Sequence, residues 1–286
     1  MTIKLYIGAH KTATTHIQSV LEHNHKNLEQ HNIKLSTPNE LRKSWLPNFL
    51  NLCHKKDLSH MEDLKKELPT KGIWILSDEN FTGTPYDFKI HKGMYPNVGE
   101  RLKCLKELFP NAKIELYFSI RSYETFYRST YLEVVRNRGY IPFQEYYNEE
   151  QFKHNSWVDV IEMFTSVIPE ENITLWRYED IKTLMPTIIN NITGLNNAKE
   201  LILNYPIQKT RESLSKKTIE VLASLSDVMS QKESKKTIEI LNNKYPLGDK
   251  YSKFISFTHK KQKEFQLQYK ENIFNIKKTY PRINLI

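Results

Sequence analysis

The chain has 286 residues, a length that corresponds to one large domain or two small ones. Apolar residues make up 39% of the sequence and aromatic residues 12%, and there are only 8 glycines and 12 prolines. This composition excludes collagen-like, low-complexity and disordered proteins. The two cysteines, Cys53 and Cys104, are too few for a disulfide framework and lack the neighbouring ligands of a metal site. We therefore expect a globular protein of a reducing compartment.

The positive charge of the chain is concentrated near its C-terminal end. The formal net charge is +9, and residues 231–286 hold 13 Lys and Arg against 5 Asp and Glu, a difference of +8. Such a segment suits an anionic membrane, an acidic substrate or, less favoured here, nucleic acid, and it also fits a solvated lysine-rich face. The apolar run at the start of the sequence is too short for the core of a signal peptide. No stretch of about 18 apolar residues, the length of a membrane-spanning helix, occurs in the sequence. The sequence thus predicts a cytoplasmic protein, with peripheral contact at the inner membrane face as one option.

Four short β-branched or aromatic segments predict strands, and helical sequence separates them. The predicted strands cover residues 3–7, 73–76, 114–120 and 173–177. From about residue 213 the pattern is helical, over 213–228, 232–242 and 258–278. Alternating strands and helices are typical of a parallel sheet covered on both faces. The sequence predicts one α/β domain over residues 1–286: a P-loop-like parallel sheet flanked by helices, with a nucleotide-binding core to about residue 213 and additional C-terminal helices.

The loops at the carboxyl ends of the strands are the expected place for a ligand in such a sheet. They are GAHKTATT at 8–15, SDENFTG at 77–83, RSYETFYRS at 121–129 and YED at 178–180. The first loop places Gly8, Lys11 and several threonines between a strand and an amphipathic helix. Because a helix N-terminus offers unpaired N–H groups and partial positive charge, this loop suits a phosphate or sulfate group.

The first loop resembles a P-loop without matching it. The Walker pattern GxxxxGK[ST] needs a longer glycine loop, whereas Lys11 comes three residues after Gly8, and Ala13 follows Thr12. This departure disfavours a site for a metal ion and a triphosphate. The alternative interpretation is a helix cap formed by Thr12 or Thr14, with Lys11 on the surface.

A second candidate anion site follows the third predicted strand. Arg121 ends that strand, Ser122 can cap the next helix, and Ser129 lies about two helical turns further on. A guanidinium and a hydroxyl placed in this way could hold a phosphate from two sides. The alternative is an arginine paired with a carboxylate and a serine bonded to its own helix.

Together these segments resemble the nucleotide-binding elements of the sulfotransferase family, in particular its bacterial and carbohydrate-type members. HKTATT is similar to the family's 5′-phosphosulfate loop, usually KTGTT or KSGTT, and IRSYETFYRS is similar to its 3′-phosphate element. LSDEN and WRYED resemble two further family segments, and the likeness extends from residue 3 to about residue 213. It implies a parallel sheet flanked by helices and the use of 3′-phosphoadenosine 5′-phosphosulfate (PAPS) as sulfuryl donor, with no metal ion.

The resemblance implies a role for each matching residue in the two phosphate-binding elements. The residues that would bind the 5′-phosphosulfate are Lys11, Thr12, Ala13, Thr14 and Thr15, and those that would bind the 3′-phosphate are Arg121 and Ser129. Ala13 replaces the family's glycine, so a left-handed backbone at this position would be costly.

The resemblance also implies contacts to the adenine and a closing segment. His16 stands where many family members have an adenine-stacking tryptophan, and Tyr178 resembles a position near the adenine. Lys209, Arg211 and Ser213 fall where the family often closes over the nucleotide with basic residues.

Sulfuryl transfer resembles phosphoryl transfer in needing in-line attack on a crowded anion, so positioning and charge stabilisation should dominate catalysis. We expect Lys11 to neutralise the charge that grows on the leaving nucleotide. We expect Glu79 to take the acceptor's proton, because it follows the second predicted strand and burial could raise its pKa. Asp78, His10 and His91 remain alternatives for this base, and Glu79 could instead cap a turn or pair with Lys92 or Arg101.

These features favour a PAPS-dependent sulfotransferase that acts on a carbohydrate, a lipid headgroup or another small acceptor. Two other classes of protein remain open. A P-loop nucleotide kinase or phosphotransferase would share the strand, loop and helix but would need Mg²⁺. A non-catalytic basic module would bind nucleic acid or a membrane without responding to PAPS.

Overall fold

A computed structural model describes residues 1–55, 61–66, 68–69, 71–91, 93–148, 155–203, 205 and 213–286. The strands are β1 (Thr2–Tyr6), β2 (Ile33–Ser36), β3 (Ile73–Ser77), β4 (Lys113–Ile120), β5 (Ile173–Arg177) and β6 (Asn284–Leu285). The helices are α1 (Thr14–His23), α2 (His25–Gln30), α3 (Pro38–Leu41), α4 (Trp45–Lys55), α5 (Met61–Lys66), α6 (Asp87–His91), α7 (Val98–Leu108), α8 (Tyr123–Arg138), α9 (Phe143–Tyr146), α10 (Trp157–Thr165), α11 (Ile181–Thr193), α12 (Ala198–Leu203), α13 (Lys216–Leu225), α14 (Gln231–Lys244) and α15 (His259–Thr279). Short 3-10 turns cover Glu79–Phe81, Glu170–Asn172, Tyr178–Asp180 and Ser226–Val228.

Six strands within the described ranges form one parallel sheet in the order β2-β3-β1-β4-β5-β6. Strand β1 is one of the two central strands, and its last residue, Tyr6, lies in register with Ser77 on one side and Tyr117 on the other. The four strands predicted from the sequence are confirmed, each with ends shifted by at most one residue. The predicted α/β class, with a parallel sheet flanked by helices, is therefore the observed one.

Alternate residues of the central strands point into two separate cores, as the two-residue period of a strand requires. Leu5 and Phe118 pack in one core cluster, whereas Tyr6 and Tyr117 pack in the other. Helices α1 and α11 cover the face of Tyr6, and α7, α8, α10 and α15 cover the face of Leu5. Because both faces are buried, these strands are apolar along most of their length. No described helix is both long and apolar enough to cross a lipid bilayer.

The long C-terminal helix α15 packs on the same core as the sheet, where Phe265 on its inner face joins the larger cluster. It contacts α8 and α10, and these three helices meet at a buried polar contact. Tyr123 Oη donates to Asn272 Oδ1 at 2.6 Å, and Trp157 N donates to Tyr123 Oη at 2.7 Å. Buried polar groups are costly to leave without partners, so this contact fixes the position of α15.

We predict that Asn272→Leu lowers the free energy of unfolding by about 1–3 kcal/mol, because it leaves the buried Tyr123 hydroxyl without its acceptor. Chemical denaturation followed by circular dichroism measures the change. The matched control is Asn275→Leu, at an asparagine that is exposed on the same helix. This substitution should change the free energy of unfolding by less than about 0.5 kcal/mol.

We also propose that residues 1–286 form one domain, so each variant should unfold in one transition. A separate transition for the C-terminal helices would contradict this.

Candidate active site

The loops singled out by the sequence meet at one edge of the sheet, because β1, β3, β4 and β5 run parallel beside one another. Hydrogen bonds join the first loop to β4. Ser119 Oγ lies 2.5 Å from Thr12 Oγ1 and donates to it, and Thr12 Oγ1 donates to Ala9 O at 2.5 Å. Thr12 is fully buried, and its hydroxyl is used to hold the loop in shape.

The backbone of the first loop forms a concave set of N–H groups. Lys11 and Ala13 have left-handed conformations, with φ of 63° and 61°, on either side of Thr12. Within the described chain, the N–H groups of residues 11–15 donate no hydrogen bond. Successive N–H groups in alternating conformations, here next to the N-terminus of α1, form an anion-binding site.

Two small residues allow this turn at different energetic costs. A Cβ atom on Gly8 would lie 2.5 Å from Thr14 Cγ2, so this position requires glycine. Ala13 adopts the left-handed backbone despite its methyl group, which costs an L-residue about 1–2 kcal/mol. The cost expected at Ala13 from the sequence is therefore present in the structure.

Arg121, which follows β4, lies directly against the first loop. Its Nη1 donates to Lys11 O, its Nε donates to Thr125 Oγ1 at 3.0 Å, and its guanidinium carbon lies 4.3 Å from the ring centre of Tyr178. Burial lowers the pKa of Arg121, although Tyr178 and Glu179 partly offset this effect. Among the described residues, Nη2 has no hydrogen-bond partner and no carboxylate forms an ion pair with Arg121. The arginine therefore keeps the two N–H groups of Nη2 for a ligand.

Further cations lie around the second candidate anion site. Ser129 is half-buried on α8, and its neighbour Arg128 is buried. Partial burial and the charges of Arg128 and Arg121 lower the pKa of Lys253, and Glu124 partly offsets this, so the lysine lies within electrostatic range of both arginines. The sequence did not assign Arg128 or Lys253 to the site, because the first lies in a helical aromatic pattern and the second reaches α8 from a distant segment. An antiparallel bridge joins Lys253 to Ser215, and the ring of the next residue, Phe254, packs against Tyr131 of α8 with 5.4 Å between ring centres.

Lys11 points from the first loop toward α8. Its Nζ lies 3.2 Å from Glu133 Oε2, and Asn137 Nδ2 donates to Glu133 Oε1 at 2.9 Å. Burial alone would raise the pKa of Glu133, but Lys11 and the bond from Asn137 lower it overall. Both members of the ion pair are partly exposed, and pairs of this kind contribute only about 0–1 kcal/mol. An arriving anion can therefore take the place of the carboxylate.

The other residues expected at the nucleotide lie on the first turn of α1. Thr14 is buried, Thr15 is exposed, and His16 is half-buried with its ring edge-on to Tyr205, 5.6 Å between ring centres. Arg211, expected to close over the nucleotide, lies outside the described residues, as does its neighbour at position 209.

The YED segment fixes the start of α8. Glu179 accepts hydrogen bonds from Ser122 N and from Tyr269 Oη, both at 2.9 Å. Ser122 occupies the N-cap position, but its side chain makes no capping bond and instead lies 2.7 Å from Thr125 Oγ1. The expectation that the Ser122 side chain caps this helix is therefore wrong, because the carboxylate of Glu179 satisfies the backbone there.

Glu79 lies at the same edge of the sheet, in the turn after β3. Gln18 Nε2 donates to Glu79 Oε2 and Arg42 Nη2 donates to Glu79 Oε1, both at 3.2 Å. Burial alone would raise the pKa of Glu79, but His10 and Arg42 lower it overall. The expectation of a raised pKa is therefore wrong, because the charge of Arg42 and that of the protonated His10 ring outweigh burial. Glu79 is ionised at neutral pH.

Asp78 holds the turn that presents Glu79. It is fully buried, and Arg42 grips both of its oxygens, with Nε to Oδ2 at 2.8 Å and Nη2 to Oδ1 at 2.6 Å. Asn80 N also donates to Asp78 Oδ1 at 2.8 Å. Burial raises the pKa of Asp78 despite the arginine. A carboxylate enclosed in this way cannot reach an acceptor.

His10, the other described candidate base, is buried beside the same turn. Its Nδ1 lies 3.2 Å from Tyr95 Oη, and its Nε2 lies 3.1 Å from the side-chain amide of Asn80. Burial lowers the pKa of His10 although Glu79 partly offsets this, so the ring is neutral near pH 7. The side chain of His91 lies outside the described part of the structure. Among described residues, no three His, Cys, Asp or Glu side chains cluster as metal ligands.

No family model and no curated protein matches the chain. Two solved structures align over most of its length. A sulfotransferase from Alicyclobacillus acidocaldarius is 12% identical with a TM-score of 0.44, over 85% of this chain and 95% of that one. A retinol dehydratase in complex with androsterone and inactive cofactor PAP is 13% identical with a TM-score of 0.37, over 95% of this chain and 80% of that one.

We predict that Ala13→Gly raises the free energy of unfolding by about 0.5–1 kcal/mol, because glycine adopts the left-handed backbone without strain. Urea denaturation measures the change. The matched control is Ala9→Gly, in the same loop but at negative φ, which should lower the free energy of unfolding by a similar amount. Equal destabilisation by the two substitutions would contradict the left-handed backbone at Ala13.

Proposed function

We propose that this chain is a sulfotransferase that moves a sulfuryl group from PAPS to a hydroxyl or amine. The observation that supports it most is the contact between the two candidate anion sites, in which Arg121 donates to the backbone carbonyl of Lys11. The unpaired N–H groups of residues 11–15 and the cations around Ser129 therefore share one edge of the sheet. Two adjacent anion sites are what a nucleotide with charged groups at both its 5′ and 3′ positions requires.

The described residues fit both ends of PAPS. The N–H groups of residues 11–15 and the ammonium group of Lys11 would hold the 5′-phosphosulfate. The residues that would hold the 3′-phosphate are Arg121, Arg128, Ser129 and Lys253, with Arg211 as a further candidate. The rings of Tyr178 and His16 would contact the adenine. The free Nη2 of Arg121 gives this assignment a donor that no described residue uses.

Lys11 would contribute to catalysis by leaving the carboxylate of Glu133 and contacting the donor nucleotide instead. The bound nucleotide would supply the sulfuryl group, while the loop's N–H groups, already oriented, would hold its oxygens at little reorganisation cost. The ion pair of Lys11 with Glu133 must open before Nζ can contact the donor. Nζ would then neutralise the charge that remains on the 5′-phosphate when the bond to sulfur breaks.

Glu79 is the proposed base. It would take the acceptor's proton as the acceptor oxygen or nitrogen bonds to sulfur, and its ionised state at neutral pH suits that role. Gln18 and Arg42 hold its two oxygens in place while its side chain keeps 17% exposure. His10 is the alternative base, but it is only 5% exposed and both of its ring nitrogens have partners.

For the acceptor we propose a carbohydrate or a lipid headgroup with anionic character. The support is the charge difference of +8 in residues 231–286. Lys253, which belongs to this segment, is within electrostatic range of Arg121 and Arg128, so we assign that lysine to the donor nucleotide rather than to the acceptor.

We predict that the product nucleotide PAP raises the melting temperature, and that Lys11→Ala and Arg121→Ala each weaken PAP binding about 10- to 100-fold through loss of a charged hydrogen bond. Thermal shift and isothermal titration calorimetry measure both effects. The control variants are Lys106→Ala, exposed on α7, and Arg282→Ala, which is 67% exposed near the C-terminal end. Neither control should change the affinity.

Other ligands separate the proposal from its two rivals. Stabilisation by ATP with Mg²⁺ but not by PAP would identify a phosphotransferase. Stabilisation by a polyanion alone, lost steeply with salt, would identify a non-catalytic basic module.

We predict that Glu79→Gln lowers kcat at least about 100-fold, because the amide cannot accept a proton, and leaves PAP affinity within about twofold. In the wild type, the pKa of Glu79 lies below its ordinary 4.5, so kcat should fall on acidification only below about that pH, as the carboxylate becomes protonated. Steady-state kinetics against pH measures this. The control is Glu145→Gln, at a glutamate that is 57% exposed on α9 and pairs with Lys89. Normal turnover in Glu79→Gln would assign the base to another residue.

A further inference from the structure

The helix α15 is apolar on two opposite faces. Its inner face, which includes Phe265 and Tyr269, belongs to the larger core. On its outer face, Leu267 and Phe274 are 61% and 65% exposed. They are seven residues apart, so at about 100° per residue they lie on one line along the helix, roughly opposite the inner face. A helix that covers a core normally has polar residues on its outer face, so these two side chains need a separate explanation.

Lysines surround the two apolar side chains. All five are exposed, and none forms an ion pair with a described carboxylate; they are Lys260, Lys263, Lys270, Lys277 and Lys278. Glu264 and Glu271 lie on the same side of the helix, which leaves an excess of three positive charges. We call Leu267, Phe274 and the five lysines the outer stripe.

We propose that the outer stripe docks on a lipid bilayer that carries anionic headgroups. The ammonium groups would contact headgroup phosphates, and Leu267 and Phe274 would enter the boundary between headgroups and acyl chains. The aliphatic part of a lysine can lie along such a surface while its ammonium group stays in water. The lysines can therefore remain hydrated while Leu267 and Phe274 leave water. This inference does not depend on the proposed enzymatic activity.

A bilayer fits the outer stripe better than the other possible occupants. Nucleic acid or a sulfated polysaccharide would pair with the lysines but would leave two large apolar side chains facing a polar ligand. A second copy of the chain, in a symmetric contact, would bring five lysines against five. Only an amphipathic anionic surface matches the charge and the apolar side chains at the same time.

Docking through the outer stripe would also orient the candidate active site. On the inner face of α15, Tyr269 Oη donates to Glu179 at 2.9 Å and lies 3.4 Å from Ile120 O, at the end of β4. The helix is therefore attached to the edge of the sheet that holds the candidate site, and a bilayer bound to the opposite face would hold that edge in a fixed orientation.

The test is co-sedimentation with vesicles of phosphatidylcholine containing about 30% phosphatidylglycerol, compared with phosphatidylcholine alone. The wild type should bind the anionic vesicles and release them at high salt. The double variant Leu267→Ser/Phe274→Ser should bind about tenfold or more weakly. The triple variant Lys263→Gln/Lys270→Gln/Lys277→Gln should bind about 100-fold more weakly.

The control variant and a reporter make the result specific. Ile240→Ser removes an equally exposed apolar side chain, 65% exposed, from α14 and should bind as the wild type does. Phe274→Trp should show quenching by brominated lipids, against a background of four tryptophans that are each at most 2% exposed. Circular dichroism and the PAP-induced thermal shift should be the same in all variants, which separates this proposal from the enzymatic one.

Three results would overturn the proposal. The first is a wild type that does not bind anionic vesicles, and the second is an unquenched Phe274→Trp reporter. The third is binding that depends on the lysines but not on Leu267 and Phe274, with a single-stranded oligonucleotide bound equally well. That outcome would replace the bilayer with a hydrophilic polyanion.

Discussion

The hydrogen bond from the half-buried guanidinium of Arg121 to the carbonyl of Lys11 is the contact on which the candidate site depends. A cation that has lost much of its water needs acceptors, and this one has an acceptor in the loop that follows the neighbouring strand. The bond therefore sets the distance between the end of β4 and the concave N–H groups after β1. Because the guanidinium also lies on the ring of Tyr178, it connects three of the four loops at this edge of the sheet.

The sequence was sufficient to predict the central strands of the sheet but not its two edge strands. Strands β1, β3, β4 and β5 are buried on both faces, so their apolar runs are long enough to predict. At one edge, β2 is four residues long and exposes Lys34, and at the other edge β6 has only two residues. These two segments are strands because they pair with β3 and β5, and their own sequences do not show a strand pattern. The three predicted C-terminal helical segments are confirmed with small shifts at their ends.

The same distinction holds for the candidate site. Residues within the motifs, such as Lys11 and Arg121, were found because a strand leading into a helix places them together. Glu133 contacts Lys11 from 122 residues further along the chain, and Lys253 comes from further still, so no local pattern predicts either position. The predicted direction of the Glu79 pKa shift was wrong for this reason. The two groups that lower this pKa most are His10 and Arg42, and both come from distant parts of the chain. Arg42 precedes Glu79 by 37 residues and follows an edge strand that the sequence did not reveal.

The position of Arg42 has a consequence for comparing related chains. This one guanidinium binds both carboxylates of the SDEN segment, yet it belongs to the end of α3. The proton affinity of Glu79 is therefore not a property of the segment that contains it. Grafting SDEN into another protein would transfer the carboxylate without its acidity, and two relatives with identical SDEN segments would differ in acid tolerance wherever the residue equivalent to Arg42 is neutral.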